Sequence, residues 1–316
     1  MTGKRYYDLN TYFRSLYGGR VHKITVDAGF TCPNRDGSLS LNGCIYCNAR
    51  GSGTGQHQQG LSVRQQLERS RPPIIKRFKT KRFLAYFQAF TNTYAPLAQL
   101  KRVYDEALAV AGVVGLAVGT RPDCVNEEKI ELLASYTDKA LVWVEYGLQS
   151  VHDATLARIN RGHDFAAFER AVAMTRGRGI KICAHVILGL PGETPEMMRQ
   201  TAQVLGRMGL DGIKLHLLYV VKGTALDDLY ESGGYNCLGM DAYADRVCDV
   251  LERLPQDMVI QRLTGDPHPD ELRAPLWALD KKASMAAITT RLEVRDLSLI
   301  HISEPTRLVQ SSRMPS

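Results

Sequence analysis

Residues 180–208 read IKICAHVILGLPGETPEMMRQTAQVLGRM. The run begins with a mostly apolar, strand-like stretch, passes through a turn containing glycine and proline, and ends in a segment with helical periodicity. Thr194 stands where its side chain can cap that helix. An apolar strand followed directly by a helix is typical of one βα unit in a parallel sheet that is buried on both faces.

Strand-like and helix-like segments of this kind alternate through most of the chain. Asp164 is a second candidate N-cap, and Gly112, Gly179 and Gly209 follow helical segments where a left-handed residue is expected. The predicted strands are residues 22–27, 82–89, 113–120, 140–148, 180–188 and 212–220. The predicted helices are residues 96–111, 126–136, 153–159, 165–178, 195–208 and 241–254.

Six βα repeats predict an α/β fold in the form of a partial (β/α)6 barrel with short N- and C-terminal extensions, because a full barrel needs eight repeats. A doubly wound open sheet is the alternative. Both architectures bind ligands at the carboxyl ends of the strands, so chemistry-bearing residues should follow each strand. Polar residues and glycines do follow them, in the runs 30–47, 88–92, 119–123, 145–150, 185–194 and 217–224.

The segment after the first strand contains three cysteines, Cys32, Cys44 and Cys47. Thiolates at this spacing bind metal, and three of them are one ligand short of a closed structural site. A [4Fe–4S] cluster held by only three cysteines leaves one iron open to a substrate or cofactor. From the spacing alone, a zinc site completed by His57 is the alternative.

Composition indicates an ordinary globular protein. The 316 residues are 44% hydrophobic, enough for one large α/β barrel or two smaller domains. No stretch is apolar enough to span a membrane, and the first residues lack the apolar region of a signal peptide, so a cytoplasmic location is expected. The total of seven cysteines is odd and indicates no disulfide framework. Four are therefore expected to be core or surface residues, namely Cys124, Cys183, Cys237 and Cys248.

The formal charge of +7 is unevenly distributed. Residues 69–82 hold a group of basic side chains with no acidic residue among them. Such a patch could follow the phosphates of a nucleic acid, and a solvated basic face is the alternative. The candidate nucleic-acid contacts in it are Lys76, Arg77, Lys79 and Lys81.

The end of the chain differs in character from the rest. Residues 297–307 read LSLIHISEPTR, which resembles the in-frame translation of a sequencing adapter. We therefore expect residues 297–316 to be an artefact and disordered, with the natural sequence beyond Asp296 missing. The rest divides into an N-terminal extension (1–20), a core domain (21–265) and a truncated C-terminal extension (266–296).

At the cysteine loop and the strand ends, the chain resembles the radical S-adenosylmethionine (SAM) superfamily. The likeness runs from about residue 6 to residue 287 and is greatest to the branch that includes the catalytic subunit of Elongator and oxygen-independent coproporphyrinogen oxidase. Within that branch it resembles a bacterial group of Elongator-like proteins. The superfamily usually separates its first two cysteines by three residues. Here eleven residues separate Cys32 from Cys44, as in the long first gaps of the Elongator-like branch.

This resemblance implies roles for individual residues. Cys32, Cys44 and Cys47 would ligate one [4Fe–4S] cluster, whose open iron would take the amino and carboxylate groups of SAM. Tyr46 resembles the aromatic residue near the adenine. In the run from Gly147 to His163, the family motif assigns the ribose to Gln149 and the SAM carboxylate to Arg161. Their chemistry suits these partners, since a carboxamide both donates and accepts hydrogen bonds and a guanidinium can pair with a carboxylate.

Five further residues are implicated by position. Thr120 and Asp123 follow the third strand, where this branch contacts SAM. Gly189 begins a Gly-Leu-Pro-Gly turn that resembles the one bordering the adenine. Thr91 and Asn92 stand where other members have a Gly-Gly-Glu run that holds the methionine amine, and this sequence lacks that run.

The resemblance implies an enzyme that cleaves SAM reductively to methionine and a 5′-deoxyadenosyl radical, which then abstracts hydrogen from a substrate. A reductant such as flavodoxin or ferredoxin is implied as electron donor. Likeness to Elongator and the basic segment suggest tRNA as the substrate, with modification of a wobble uridine. The alternatives are a radical SAM enzyme acting on a small molecule, and a zinc-binding RNA module without enzymatic activity.

Overall fold

The computed structural model of the protein describes residues 5–48, 51, 53 and 55–297. Its centre is a curled sheet of seven parallel strands, a half-barrel whose strands follow one another in chain order. An antiparallel pair of short strands, Val220–Val221 and Leu272–Ala274, forms a second small sheet. The strands are β1 (His22–Val26), β2 (Phe83–Phe87), β3 (Val113–Thr120), β4 (Leu141–Gln149), β5 (Lys181–Leu188), β6 (Gly212–Leu217), β7 (Val220–Val221), β8 (Val259–Arg262) and β9 (Leu272–Ala274).

Helices pack on the outer face of the sheet and at its ends. They are α1 (Leu9–Tyr17), α2 (Val63–Phe78), α3 (Leu97–Leu108), α4 (Glu127–Ala134), α5 (Asp153–Arg158), α6 (Phe165–Thr175), α7 (Pro195–Arg207), α8 (Ala225–Glu231), α9 (Met240–Leu251) and α10 (Lys281–Val294). In the part of the chain described, none of these helices is both long enough and apolar enough to cross a lipid bilayer.

The predicted partial barrel is confirmed, and its six predicted strands are all present within a few residues of their expected bounds. Asp164 and Thr194 cap α6 and α7 through their side chains, and Gly112, Gly179 and Gly209 have positive φ angles, as predicted. The seventh strand, β8, was not predicted. Its four residues include two polar ones, and this is too short a run to show a strand pattern.

Four helices were also not predicted: α1, α2, α8 and α10. In α2 the reason is the pair Pro72 and Pro73 inside the helix, since proline removes a helical hydrogen bond and usually ends a helix. The helix forms nevertheless, because Ser62 and Gln65 make a reciprocal capping box at its start. That Ser-x-x-Gln pattern was the available sequence signal.

Alternation along each strand separates an apolar outer face from a polar inner face. In β4, Val144 and Tyr146 belong to the core beneath the helices, whereas Trp143, Glu145 and Gly147 alternate with them and point inward. Helix α1 closes the amino end of the half-barrel, where Tyr12 packs edge-on against Trp143 at 5.6 Å between ring centroids. The carboxyl ends of the strands remain as the open end.

The two terminal segments pack against the core. The amide of Ile260 in β8 donates to the carbonyl of Tyr7 at 2.8 Å. Arg295, just after α10, pairs with Asp245 and Asp249 of α9 at 2.6 and 2.7 Å. The predicted disorder of residues 297–316 concerns positions outside the described residues, apart from Leu297, whose amide bonds to the carbonyl of Leu292.

Candidate active site

A cavity of about 660 Å³ opens at the carboxyl ends of the strands. The fold therefore gathers at one place residues that are far apart in the sequence, as parallel α/β sheets generally do. Eight of the predicted site residues line this cavity: Cys32, Cys44, Tyr46, Cys47, Thr91, Thr120, Gln149 and Arg161.

Backbone hydrogen bonds fold the cysteine segment into a compact loop. The carbonyl of Cys32 accepts from the amides of Arg35 and Asp36 at 2.8 and 3.2 Å, and the amide of Cys47 donates to the carbonyl of Cys44 at 2.9 Å. The side-chain amide of Asn34 ties the loop to the carbonyl of Asn160 at 2.5 Å. The eleven residues between Cys32 and Cys44 thus make a turn, and all three cysteines face the cavity.

The surroundings of these sulfurs suit an iron–sulfur cluster. The Sγ atom of Cys44 accepts hydrogen bonds from Arg161 Nη1 at 3.6 Å and from Asn34 Nδ2 at 3.7 Å. Hydrogen bonds to cluster sulfurs are a usual means of stabilising and tuning such centres. Burial raises the pKa of Cys47 to about 11, so a bound cation is needed to hold its thiolate at neutral pH. The donor set therefore fits the cluster that the family implies.

The zinc alternative finds no such support. Within residues 5–48, 51, 53 and 55–297, no three His, Cys, Asp or Glu side chains converge on a position for a single metal ion. The ring of His57 packs against Gly29, where a Cβ atom would lie 2.1 Å from Nε2. In a [4Fe–4S] cluster each cysteine binds a different iron, so the sulfurs need not converge on one point.

Arg161 is fixed in place by the end of β4. Its Nε and Nη2 atoms donate to the carbonyl of Gly147 at 3.1 and 2.5 Å. A Cβ atom on Gly147 would lie 2.7 Å from Arg161 Nη2 and 2.9 Å from Gln149 Nε2, so any larger residue here would require these two side chains to shift. Gln149 itself has a φ of +82°, a strained conformation for a non-glycine residue of the kind that clusters at functional sites.

Asp123 is close to this group but does not line the cavity. Its carboxylate pairs with the buried guanidinium of Arg121 at 2.9 and 2.7 Å. Arg121 in turn donates to the carbonyl of Arg161 at 2.8 Å. The structure therefore places Asp123 behind Arg161, where it acts through Arg121 on the position of the Arg161 backbone.

Asn92 and Gly189 are likewise outside the cavity wall. Asn92 is fully buried, and its side chain donates to the carbonyl of Gly119 at 2.8 Å, which supports the end of β3. The carbonyl of Gly189 accepts from Tyr235 at 2.9 Å. Thr91 does line the cavity, and its buried Oγ1 has no partner among the described residues.

The basic segment lies at the amino ends of the strands, whereas the cysteines lie at the carboxyl ends. Helix α2 starts at the carboxyl end of β1, where Gln66 bonds to the backbone of Asp27 at 2.7 Å. It ends at the amino end, where Phe78 stacks on His22 with ring centroids 4.5 Å apart. The exposed candidates at this lower end, none of which lines the cavity, are Lys76, Arg77, Lys79 and Lys81.

The floor of the cavity holds a buried ionic group that the sequence analysis missed. Glu145, which is 0% exposed, accepts from Lys23, from Lys214 at 3.1 Å and from His185 at 2.8 Å. We call these four residues the Glu145 network. His216 lies beside it, with its ring centroid 5.2 Å from that of His185. The available sequence signal was the appearance of charged residues at alternate positions within apolar strands.

Burial and neighbouring charges set the protonation of this group. Burial would raise the pKa of Glu145, but Lys214, Lys23 and His185 outweigh it and hold that pKa well below its usual range. Burial lowers the pKa of Lys214 to about 7 and, with the charge of Lys214, that of His185 to about 4. Burial, His185 and Arg262 lower the pKa of His216 well below its usual range. Both histidines are therefore neutral at pH 7.

Comparison with known proteins identifies the family. The sequence model of the Radical SAM superfamily matches residues 34–205, and that of the radical SAM C-terminal domain matches residues 210–294. The uncharacterized protein YtqA of Bacillus subtilis is 40% identical over 294 residues, which cover 93% of this chain and 91% of YtqA. Protein YhcC of Escherichia coli is 41% identical over 273 residues, covering 86% and 87% of the two chains.

More distant similarities reach the Elongator group. A tRNA uridine(34) acetyltransferase of Dehalococcoides mccartyi is 28% identical over 156 residues, 48% of this chain and 33% of that protein. The solved structure of Elp3 from the archaeon Methanocaldococcus infernus superposes with a TM-score of 0.64 at 17% identity, covering 88% of this chain and 63% of that one. At this identity the structural match shows the fold alone. The superfamily model spans more than half of the chain and YtqA matches nearly all of it, so this protein belongs to the radical SAM superfamily and is a radical SAM enzyme.

Proposed function

We propose that this enzyme uses its cavity to cleave SAM and to modify a tRNA, at the side chain of a wobble uridine. Cys32, Cys44 and Cys47 would hold the [4Fe–4S] cluster. The observation that carries the proposal is the gathering of the cysteine loop, Gln149 and Arg161 around one cavity. Tyr46, Thr91 and Thr120 complete the wall that would contact SAM.

When bound, the cluster and SAM supply a 5′-deoxyadenosyl radical through reductive cleavage. The residues of the chain bind and orient. The guanidinium of Arg161, beside the cysteine loop, would donate hydrogen bonds to the carboxylate of SAM. The carboxamide of Gln149 would bond to the ribose hydroxyls. Flavodoxin or ferredoxin is the proposed electron donor, and the cytoplasm is the proposed location.

The cluster assignment is tested by anaerobic purification, iron and sulfide counting, and an assay for 5′-deoxyadenosine. Cys44→Ala should lose most of the bound iron and all measurable SAM cleavage, because two thiolates cannot hold the cluster in place. Cys124→Ala removes another buried cysteine that does not line the cavity and should keep both properties. Full iron content and cleavage in Cys44→Ala would refute the assignment.

The tRNA part of the proposal rests on the similarity to the tRNA uridine(34) acetyltransferase and on the basic segment. Because this segment lies at the amino ends of β1 and β2, it would contact the tRNA body while the reacting nucleotide enters the cavity. The phosphates of a folded tRNA extend far beyond one nucleotide. Contacts at both the amino and the carboxyl ends of the strands are therefore compatible with a single bound molecule.

Neutralising this segment tests the tRNA substrate. Replacing Lys76, Arg77, Lys79 and Lys81 by Gln should weaken tRNA binding and lower the slope of log Kd against log salt by about 3, since each phosphate contact contributes about 0.7–0.9. A control with the same charge change replaces Lys101, Arg102, Lys139 and Lys282, which are exposed elsewhere. Equal binding by the two variants, or unchanged tRNA modification profiles in a deletion strain, would refute this substrate.

A small-molecule substrate is the second candidate, and the polar floor of the cavity favours it. A ligand that stays at the rim would not reach the Glu145 network, whereas a small molecule inside the cavity would lie next to it. This alternative predicts that 5′-deoxyadenosine forms with a small substrate and without any affinity for RNA. Measuring SAM cleavage with and without total tRNA separates the two candidates.

A further inference from the structure

We propose that Arg262, together with His216 and His185, binds an anionic group of the substrate, a carboxylate or a phosphate, at the floor of the cavity. The inference rests on the proposed function in one respect, namely that the substrate enters this cavity to meet the radical. It adds the chemical class of the group that the substrate must carry and the side of the cavity where that group binds.

Arg262 lacks a counter-charge among the described residues. It ends β8 and lines the cavity, yet no carboxylate in the described part of the chain lies within 4 Å of its guanidinium. Glu145, on the same floor, is already shared by Lys23, Lys214 and His185. At the rim, Asp266 pairs with Lys281 at 3.2 Å. Arg262 is half-buried, so its guanidinium keeps unused donors at the cavity wall that a bound anion could accept from.

The charges near the floor favour an anion. Lys23 and Lys214 contact the single buried carboxylate of Glu145, and Arg262 lines the cavity as a further cation. Because the pKa of Lys214 is lowered to about 7, its amine is only partly protonated at neutral pH. The same cations oppose protonation of the nearby imidazoles, since Lys214 contributes to the lowered pKa of His185 and Arg262 to that of His216. A site with excess positive charge attracts anions and repels cations.

Two buried side-chain nitrogen atoms near Arg262 have no partners among the described residues. They are His216 Nε2 and Gln261 Nε2. Gln261 precedes Arg262 in β8, and its Oε1 atom is occupied by Lys23 at 2.5 Å. Of these two residues only His216 lines the cavity, where its ring nitrogen stands with the guanidinium of Arg262 as a group available to a ligand. Arg262 can present two parallel N–H groups, the geometry that suits carboxylate and phosphate oxygens.

This arrangement orients a substrate. Its anionic group would lie on the floor, between β5, β6 and β8, while the part to be attacked would point toward the cysteine loop at the open end. A phosphate would come from a nucleotide and a carboxylate from a metabolite, and both present the same chemistry to Arg262.

Anaerobic calorimetry on the cluster-loaded enzyme with saturating SAM tests the site, using inorganic phosphate, uridine 5′-monophosphate and succinate as separate probes. At least one probe should bind, and Arg262→Gln should weaken that binding about tenfold or more, as expected for a lost charge-assisted pair. Arg262→Lys keeps the charge without the paired geometry and should be intermediate. Arg170→Gln, a change on the exposed face of α6, should bind like the wild type.

The thermal midpoint gives a second readout that does not depend on calorimetry. Removing an uncompensated charge should leave the midpoint of Arg262→Gln equal to or above that of the wild type, and the binding probe should raise only the wild-type value. Tighter binding of the phosphates than of succinate would indicate a nucleotide substrate, and the reverse order a carboxylate metabolite.

Three results would overturn the anion site: no probe binding at concentrations up to about 10 mM, equal binding by Arg262→Gln, or binding that disappears when SAM is added. The last would show that the anion site belongs to the SAM carboxylate. These readouts need no radical chemistry. Lost probe binding with intact SAM cleavage therefore refutes this site alone, and intact probe binding without cleavage refutes the proposed function alone.

Discussion

Single residues decide how closely the site can be assembled, and Gly147 is the clearest case. The chain passes here between Arg161 and Gln149, and the Arg161 guanidinium holds the Gly147 carbonyl with two donors. Any side chain at this position would displace one or both of the residues proposed to bind SAM. The glycine is thus required by close approach of side chains to the backbone.

We expect Gly147→Ala to raise the Kd for SAM about tenfold or more, because the new methyl group must push Arg161 or Gln149 away from the cavity. The measurement is calorimetric titration of the anaerobic enzyme with SAM. Gly239→Ala is the control, since nothing lies within 4 Å of a Cβ atom there. SAM binding by Gly147→Ala at wild-type strength would contradict this role.

Acid should destabilise the protein through its buried histidines. The pKa of His185 is about 4 in the folded state and near 6.5 when unfolded, so the unfolded chain binds more protons between these values. The free energy of unfolding should fall as pH drops from about 6.5 to about 4.5, by up to about 1.4 kcal/mol per pH unit for each such histidine. Urea unfolding of the wild type and of His185→Asn across this range checks the slope, which should be shallower in the variant.

At the scale of elements, α2 shows how local signals can conflict. The adjacent prolines Pro72 and Pro73 argue against a helix, whereas the capping box of Ser62 and Gln65 argues for one. The helix forms because Val63 and Leu67 are buried against the sheet and Gln66 is hydrogen-bonded to the backbone of Asp27. Packing of this kind does not appear in the local sequence pattern.

Ser62→Ala should lower the free energy of unfolding by about 1 kcal/mol, since Ser62 Oγ accepts from the amide of Gln65 at the start of α2. Ser70→Ala, in the middle of the same helix, should have little effect or stabilise slightly, because alanine is the better helix former. Parallel urea unfolding of both variants measures the difference. Equal destabilisation by the two changes would show that the cap contributes nothing.

At the scale of the whole molecule, the Glu145 network joins four strands. Lys23 comes from β1, Glu145 from β4, His185 from β5 and Lys214 from β6, so the carboxylate connects both halves of the curled sheet. Beneath it, α1 and Trp143 form an apolar plug, and above it the cavity opens toward the cysteines. The half-barrel is therefore divided into an apolar base, an ionic floor and a site at the open end.

Glu145→Gln should destabilise the protein by about 3–5 kcal/mol, because it leaves Lys23 and Lys214 without their buried counter-charge. Adding Lys214→Met should restore part of the loss, since it removes one of the stranded charges. Glu131→Gln, which breaks an exposed pair with Arg178, should cost less than about 1 kcal/mol. Urea unfolding of the three variants provides the comparison, and a small effect of Glu145→Gln would show that the network contributes little.

The sequence by itself determined the alternation of strands and helices, the partial barrel and the cysteine loop at its open end. These features depend on local periodicity, on caps such as Asp164 and Thr194, and on the rule that ligands meet the carboxyl ends of parallel strands. These features can be predicted because each signal depends on residues that are close together in the sequence.

Only the tertiary structure decided which residues share the cavity. It places Asn92, Asp123 and Gly189 behind the cavity wall and the basic segment at the amino ends of the strands. In the sequence all of these lie near predicted strand ends. It also brought Lys23, Glu145 and Lys214 together from three strands. The physical reason is that the curl of the sheet fixes which inward-facing side chains meet, and that curl depends on packing between distant segments.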